Sequence, residues 1–336
     1  MLSPAETIGT MPDGRPVHRW RLGDAQGVEL TVINYGARAA SLMVPVRGGR
    51  RAVLLTLDGL PAWLEDGTHL GAIAGRYANR IAGARFSLDG SEVRLIANSG
   101  TNCLHGGPQG FGRCLWSGAP DGEDLLLRLE SPDGDQNFPG AMHVELRYSV
   151  EGPVVRLAYQ ATADAPTVVN LTSHAYFNLM GGGDVTGHVL RLAADRYLPV
   201  DAALIPTGER RPVGGTPFDF RAPMVLGARI DADDEQLRLG GGYDHCYVLA
   251  DAPRPAPVFA ARVAAGGVAL EVATTEPAVQ LYSGNHLKGD PHAWRTGLCL
   301  ETQHFPNSPN TPDFPSTVLR PDATFRSVTT WRFSEA

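Results

Sequence analysis

Cysteine is scarce: Cys103, Cys114, Cys246 and Cys299 are the only four in 336 residues, and no two form a C-x-x-C pair. That excludes a disulfide scaffold and predicts reduced, buried thiols. No apolar run approaches the ~18 residues of a membrane span, so no membrane partner is expected. Met1 to Arg21 mixes Glu6, Asp13, Arg15 and His18 with no apolar h-region, which argues against an export signal and for a cytoplasmic protein. Basic runs are missing too. With 29 Lys+Arg against 36 Asp+Glu the net charge is −7, which disfavours a nucleic-acid partner. There is no H-E-x-x-H or paired-cysteine spacing, and His245 and Cys246 are adjacent, hence on opposite strand faces. The glycines of Leu104-His105-Gly106-Gly107 are followed by neither Lys-Ser/Thr nor a helix, so they make no phosphate loop. Neither a metal nor a cofactor is predicted.

Turn formers and alternation dominate what remains. The 39 glycines and 26 prolines exceed the usual combined share of about 12% and favour many turns over long helices. In Met142 to Val150 every second residue is apolar, and Val155, Leu157, Tyr159 and Ala161 repeat the pattern after Gly152-Pro153, which predicts a hairpin. Phe259 to Val263 and Val268 to Ala273 flank Ala264-Ala265-Gly266-Gly267 as a second hairpin. Similar alternation occupies Val28 to Ile33, Glu92 to Ile96, Leu125 to Leu129 and Phe325 to Phe333. Helical signals are confined to Leu60 to Asp66, with Pro61 in the first turn and Gly67 as a stop, and to acidic Asp231 to Leu239 before Gly240-Gly241-Gly242. No parallel-strand signature follows either one. No repeat or linker interrupts the chain. The expectation is an all-β protein, one large antiparallel β-sandwich domain over 1–336, with few short helices and function carried on long loops.

Several polar segments stand out. Gly75-Arg76-Tyr77-Ala78-Asn79-Arg80-Ile81 sets an amide beside a guanidinium, both good partners for sugar hydroxyls. The glycines after His105 permit a ligand to approach the backbone closely. Strand geometry over Asn170 to Leu179 puts His174, Tyr176 and Asn178 on one face, and Ala175, Phe177 and Leu179 on the other. Asp244 opens a strand after a glycine run, Gln280 and Tyr282 alternate with Val279 and Leu281, and Glu301 follows apolar Leu298-Cys299-Leu300. A carboxylate there either reaches solvent at the strand end or sits in a cleft with a partner.

Taken in chain order, these segments resemble the galactose mutarotase (aldose 1-epimerase) family over nearly the full length. The resemblance extends to Pro217-Phe218-Asp219-Phe220-Arg221, Gly242-Tyr243-Asp244-His245, Gln280 to Asn285, Leu300-Glu301-Thr302-Gln303, Ser308-Pro309-Asn310 and Phe314-Pro315-Ser316. It implies a large sandwich with an open sugar cleft, His174 as proton donor and Glu301 as proton acceptor. Asn79, Arg80, His105, Tyr176, Asp244 and Gln280 then line the site. Three positions depart from the family pattern: Asn307 where Asp is common, His286 where an aromatic is frequent, and Cys246 at a variable position. They bear on sugar preference more than on chemistry.

The implied reaction interconverts the α and β anomers of a free hexose such as galactose or glucose. It removes a proton from the C1 hydroxyl, delivers one to the ring oxygen, lets C1–C2 rotate and recloses the ring. An acid and a base on opposite sides of the ring suffice. An imidazolium beside a carboxylate must be stabilised at neutral pH, and the charge of Asp244 or Glu301 is expected to raise His174, while Arg80 keeps the carboxylates ionised. The partner is a small-molecule aldose, and the chain is expected to be a monomer or homodimer. Two alternatives are an epimerase for a hexose 6-phosphate, for which Arg113 and Arg210-Arg211 are available, and a carbohydrate-binding sensor without chemistry.

Overall fold

Alternating apolar residues become strands wherever one face can be buried. In the computed structural model, which describes residues 1–289 and 291–336, Met142–Glu151 and Val154–Ala163 pair antiparallel, from Met142 opposite Ala163 to Glu151 opposite Val154. Val144, Leu146 and Tyr148 are fully buried, while His143, Glu145 and Arg147 between them are only half-buried. Val258–Ala265 and Val268–Thr274 form the second expected hairpin, whose turn narrows to Gly266-Gly267.

Three antiparallel sheets carry most of the chain. The first is a meander of Glu6–Thr10, Pro16–Gly23, Glu29–Ile33, Arg38–Val46 and Gly49–Ala52. A nine-stranded sheet runs in the order Ser117–Asp121, Asp124–Ser131, Met142–Glu151, Val154–Ala163, Phe325–Glu335, Val268–Thr274, Val258–Ala265, Val189–Leu192, Met224–Val225. The third has six: Tyr176–Phe177, Leu298–Gln303, Ala278–Tyr282, Asp244–Val248, Arg196–Leu198 and Arg211–Pro212. One apolar core gathers Leu30 and Leu42 from the first sheet, Val144 and Leu157 from the second, and Val279, Leu281, Leu298 and Leu300 from the third. The architecture is the all-β sandwich expected.

Helix is sparse, as the turn-rich composition implies. Gly59–Glu65 forms close to its expected place. The second helix is shorter than its acidic run, spanning Glu235–Gly240. Asp234 accepts from the backbone N–H of Gln236 and Leu237, so the first residues of the run form a turn and cap instead of helix. Among the described residues no helix is long and apolar enough to cross a membrane, and all four cysteines are free.

The six-stranded sheet positions the chemistry. Successive side chains point to opposite faces, so while Val279, Leu281, Leu298 and Leu300 enter the core, Gln280, Tyr282, Cys299 and Glu301 project from the other face. Register sets Gln280 opposite both Cys246 and Glu301, and Tyr282 opposite Asp244 and Cys299.

Candidate active site

Above that second face lies a hollow of about 170 Å³. Its floor is Glu301, Asp244 and Tyr282, and its walls are Asn79, Arg80, His105, His174 and Tyr176. Seven of the eight residues expected to serve a sugar therefore line one cavity. The eighth, Gln280, stands just behind it. Buried between neighbouring strands, it donates through Nε2 to Asp244 Oδ1 at 2.7 Å and so aims that carboxylate.

Local geometry fixes each wall residue. Asn79 has φ 61°, a left-handed conformation that asparagine tolerates. Its Oδ1 accepts from the Arg80 N–H at 2.8 Å. His105 Nδ1 accepts from the Asn79 N–H at 3.1 Å, so its neutral ring carries the proton on Nε2 and serves as a donor. Burial, together with the rings of His69 and His174 and the charge of Arg80, holds His105 well below the ordinary histidine range. The glycines that follow make room for protein and not for a ligand: Gly106 for backbone and Gly107 for the Gln136 side chain. Gly106 has φ +86°, and a Cβ there would lie 2.0 Å from the Gly75 carbonyl oxygen. Arg76, unlike Arg80, is buried away from the hollow and clamps the Pro139 and Gly140 carbonyls at 3.0 and 2.7 Å.

His174 and Glu301 are both buried, with Nε2 3.8 Å from Oε1. They are neighbours and do not face each other across a ring, which corrects the expected placement. O1 and O5 of a pyranose share one carbon, so the groups serving them must stand close together. His174 Nδ1 lies 3.5 Å from Cys299 Sγ, and Glu301 Oε2 has no hydrogen-bond partner among the described residues.

Electrostatics also differ from expectation. Burial, reinforced by His69, pushes His174 down to about 3, against a smaller upward pull from Asp66. Burial and then the Asp244 charge raise Glu301 to about 8, with Arg80 opposing. Desolvation disfavours both charged forms, so without a sugar the pair is neutral and its one proton sits on Glu301. At 3.8 Å the two groups are in contact and are not an ion pair.

Thr68 and His69 escaped sequence reading, and Tyr282 and His286, noted there without a place in the site, line the hollow as well. His69 occupies a left-handed position, φ 58°, with its ring 4.8 Å from that of His105 and 5.9 Å from that of His174. Its loop hangs from a buried ion pair, Arg38 to Asp66 at 2.6 Å. Asp66 also accepts from the Thr68 and Leu70 N–H groups, and Tyr176 Oη donates to Thr68 O at 2.9 Å. Tyr176 therefore offers its ring to the hollow, because its hydroxyl is committed to the loop. The available signal for His69 was a lone histidine in a loop bounded by Gly67 and Gly71. Asn178, expected beside His174 and Tyr176, instead binds the Gly183 and Thr296 carbonyls at 2.9 Å each and leaves the face. Asn307, where Asp is common, accepts from the Ala82 N–H through its Oδ1 at φ 60°, a task either side chain performs.

His105, His174 and Glu301 each bring a ligand atom within 4.8 Å of the others. Around a tetrahedral Zn²⁺ with ~2.1 Å bonds, ligand atoms stand roughly 3.4 Å apart. His174 Nε2 and Glu301 Oε1, at 3.8 Å, come near that spacing, but the His105 nitrogen left free carries a proton and offers no lone pair to a metal in that tautomer. A larger hollow, about 460 Å³, adjoins across Gly67, Thr68 and His286 but lacks the His174–Glu301 pair.

The arginines proposed for a phosphate are spoken for elsewhere. Arg113 donates to Asp66 O, Arg210 to Asp313 O, and Arg211 to Glu209, and none of the three lines the hollow, where Arg80 stands instead.

The profile of the family described as aldose 1-epimerase matches residues 18–332. The galactose mutarotase of Rattus norvegicus is 39% identical over 350 residues and is covered 100%, as is this chain. The aldose 1-epimerase of Escherichia coli (strain K12) is 39% identical over 98% of each chain. The crystal structure of galactose 1-epimerase from Lactobacillus acidophilus NCFM superimposes with TM-score 0.90 at 27% identity, covering 100% of this chain and 99% of that one. Full-length likeness in sequence and backbone, around a hollow holding a buried histidine and glutamate, places this chain in the aldose 1-epimerase family.

Proposed function

We propose that His174 and Glu301 are the acid–base pair with which this aldose 1-epimerase interconverts the anomers of free hexoses such as galactose and glucose. The enzyme is an isomerase acting on aldoses. The observation that carries the residue assignment is the contact of these two buried groups, 3.8 Å apart, at the bottom of a hollow of about 170 Å³. With sugar bound the shared proton passes from Glu301 to His174; Glu301 then takes the O1 proton while His174 gives one to O5, and the ring opens. Rotation about C1–C2 and reversal of both transfers close it on the other face. Each group contributes roughly 10²–10⁴ in rate.

The proton count fits the burial of both groups. Ring opening converts carboxylate plus imidazolium into carboxylic acid plus neutral imidazole, the state that burial favours here. The site is thus matched to the open-chain intermediate more than to the closed sugar, as differential stabilisation requires. His105 donates through Nε2, and Arg80, Asn79 and the Gln280-aimed Asp244 hold the remaining hydroxyls. The catalytic groups come from positions 79 to 301, so we take the whole chain, 1–336, as one catalytic unit.

Polarimetry of freshly dissolved α-D-galactose and α-D-glucose tests this reading. The wild-type chain accelerates the optical decay, and Glu301→Gln and His174→Asn each lose at least about a hundredfold in kcat. Near-normal turnover in either variant removes that residue from the mechanism. Binding without faster decay in the wild type favours the sensor.

A further inference from the structure

The working groups of the hollow come from three stretches of chain: Asn79 and Arg80, His174, and Glu301. All three meet on one side chain outside the hollow. Asn170 is fully buried, four residues before His174. Its Oδ1 accepts from the backbone N–H of His304 at 3.0 Å, just beyond Glu301. Its Nδ2 donates to Ala78 O at 3.2 Å, the residue before Asn79, and to His304 O at 3.5 Å. The backbone repeats the link, with the Ala78 N–H donating to Asn170 O at 2.7 Å and the Asn170 N–H to Arg76 O at 3.1 Å.

The far ends are anchored as well. His304 Nδ1 lies 2.7 Å from Glu276 Oε2, both buried. The Asn307 N–H donates to Arg80 O at 2.8 Å. The direction of the Asn170 amide follows from its partners, since a peptide N–H needs an acceptor and two carbonyls need donors. Asp in its place sets a carboxylate oxygen against the Ala78 carbonyl. Leu leaves the same backbone groups buried and unpaired.

We propose that Asn170 is a positioning residue for catalysis, locking the segments that bear Arg80, His174 and Glu301 into one geometry without touching the sugar. This rests on the acid–base reading above. Small misplacements of reacting groups lower turnover steeply, and alignment of acid and base matters more in the transition state than in sugar binding.

The test measures kcat, KM and the pH profile of Asn170→Asp and Asn170→Leu by polarimetry with galactose, beside Leu146→Ala, a core truncation in the nine-stranded sheet. Both Asn170 variants should lose at least about tenfold in kcat with KM changed less than about threefold. Their alkaline limb should move to lower pH as water reaches Glu301. Leu146→Ala should lose stability and keep both kcat and the limb. Folded Asn170 variants with wild-type kcat and limb overturn the proposal. If neither variant folds, His304→Ala and Glu276→Gln loosen the same clasp from its other end, and unchanged kcat and limb in both overturn it equally. Inactive Glu301→Gln and His174→Asn beside active Asn170 variants sink only the positioning role, whereas active Glu301→Gln and His174→Asn sink the acid–base reading itself.

Discussion

Replacing Glu301 with Gln should abolish turnover and stabilise the fold, and the second effect should grow with pH. In the folded protein Glu301 is raised to about 8, against about 4.3 in an unfolded chain. The folded state thus holds a proton that the unfolded state releases, so stability is full below about pH 4.3 and falls as pH rises through 8. At about 1.36 kcal/mol per unit, the cost is roughly 1 kcal/mol at pH 5, 3–4 at pH 7 and 5 above pH 8. Glutamine, neutral throughout and of the same shape, avoids it. Unfolding entropy for a chain of this length is about 0.7 kcal/mol/K, so the variant should exceed wild type in Tm by about 1 °C at pH 5 and about 5 °C at pH 7. Calorimetry of both proteins from pH 5 to 8 measures this gap, and polarimetry on the same samples measures the loss of kcat. A Tm difference that stays flat across that range refutes the buried, proton-holding Glu301, whatever happens to activity.

Three other outcomes follow from the same chemistry. With Glu301 at about 8 and His174 at about 3, one proton resides on the pair between those limits; kcat/KM should be flat near neutrality and fall above about pH 8, where the pair loses that proton and has none to give to O5, and a limb near pH 6 contradicts the assignment. Asp66→Asn leaves the Arg38 guanidinium buried with only the Leu70 and Gly112 carbonyls; it should cost about 3–5 kcal/mol in denaturant unfolding and lower kcat through the His69 loop, and an unchanged midpoint would show that the ion pair is dispensable. His174, His188 and His245, all buried, are depressed to about 3, 4 and 3; each stays neutral in the fold while an unfolded chain takes up a proton below about 6.5, so Tm should fall as pH drops from 6.5 towards 4, and a constant Tm there argues against their burial.

Much of the strand pattern was legible because burial of one face imposes period two on sequence, as in Met142 to Val150 and in Gln280 and Tyr282 against Val279 and Leu281. Asn178 was misread because its strand ends at Phe177, and alternation carries no information past the last paired residue. His69 was missed because a loop has no period. Its placement depends on Arg38 and Asp66, which meet only in the folded chain.

Residue types and local alternation therefore determined the all-β class, the short helices and which side chains had chemistry to offer. They could not say that Gln280 stands behind Asp244, that His174 and Glu301 touch, or which of them holds the proton. Those are matters of register between strands distant in the chain and of water excluded by packing, and both exist only once the sheets have assembled.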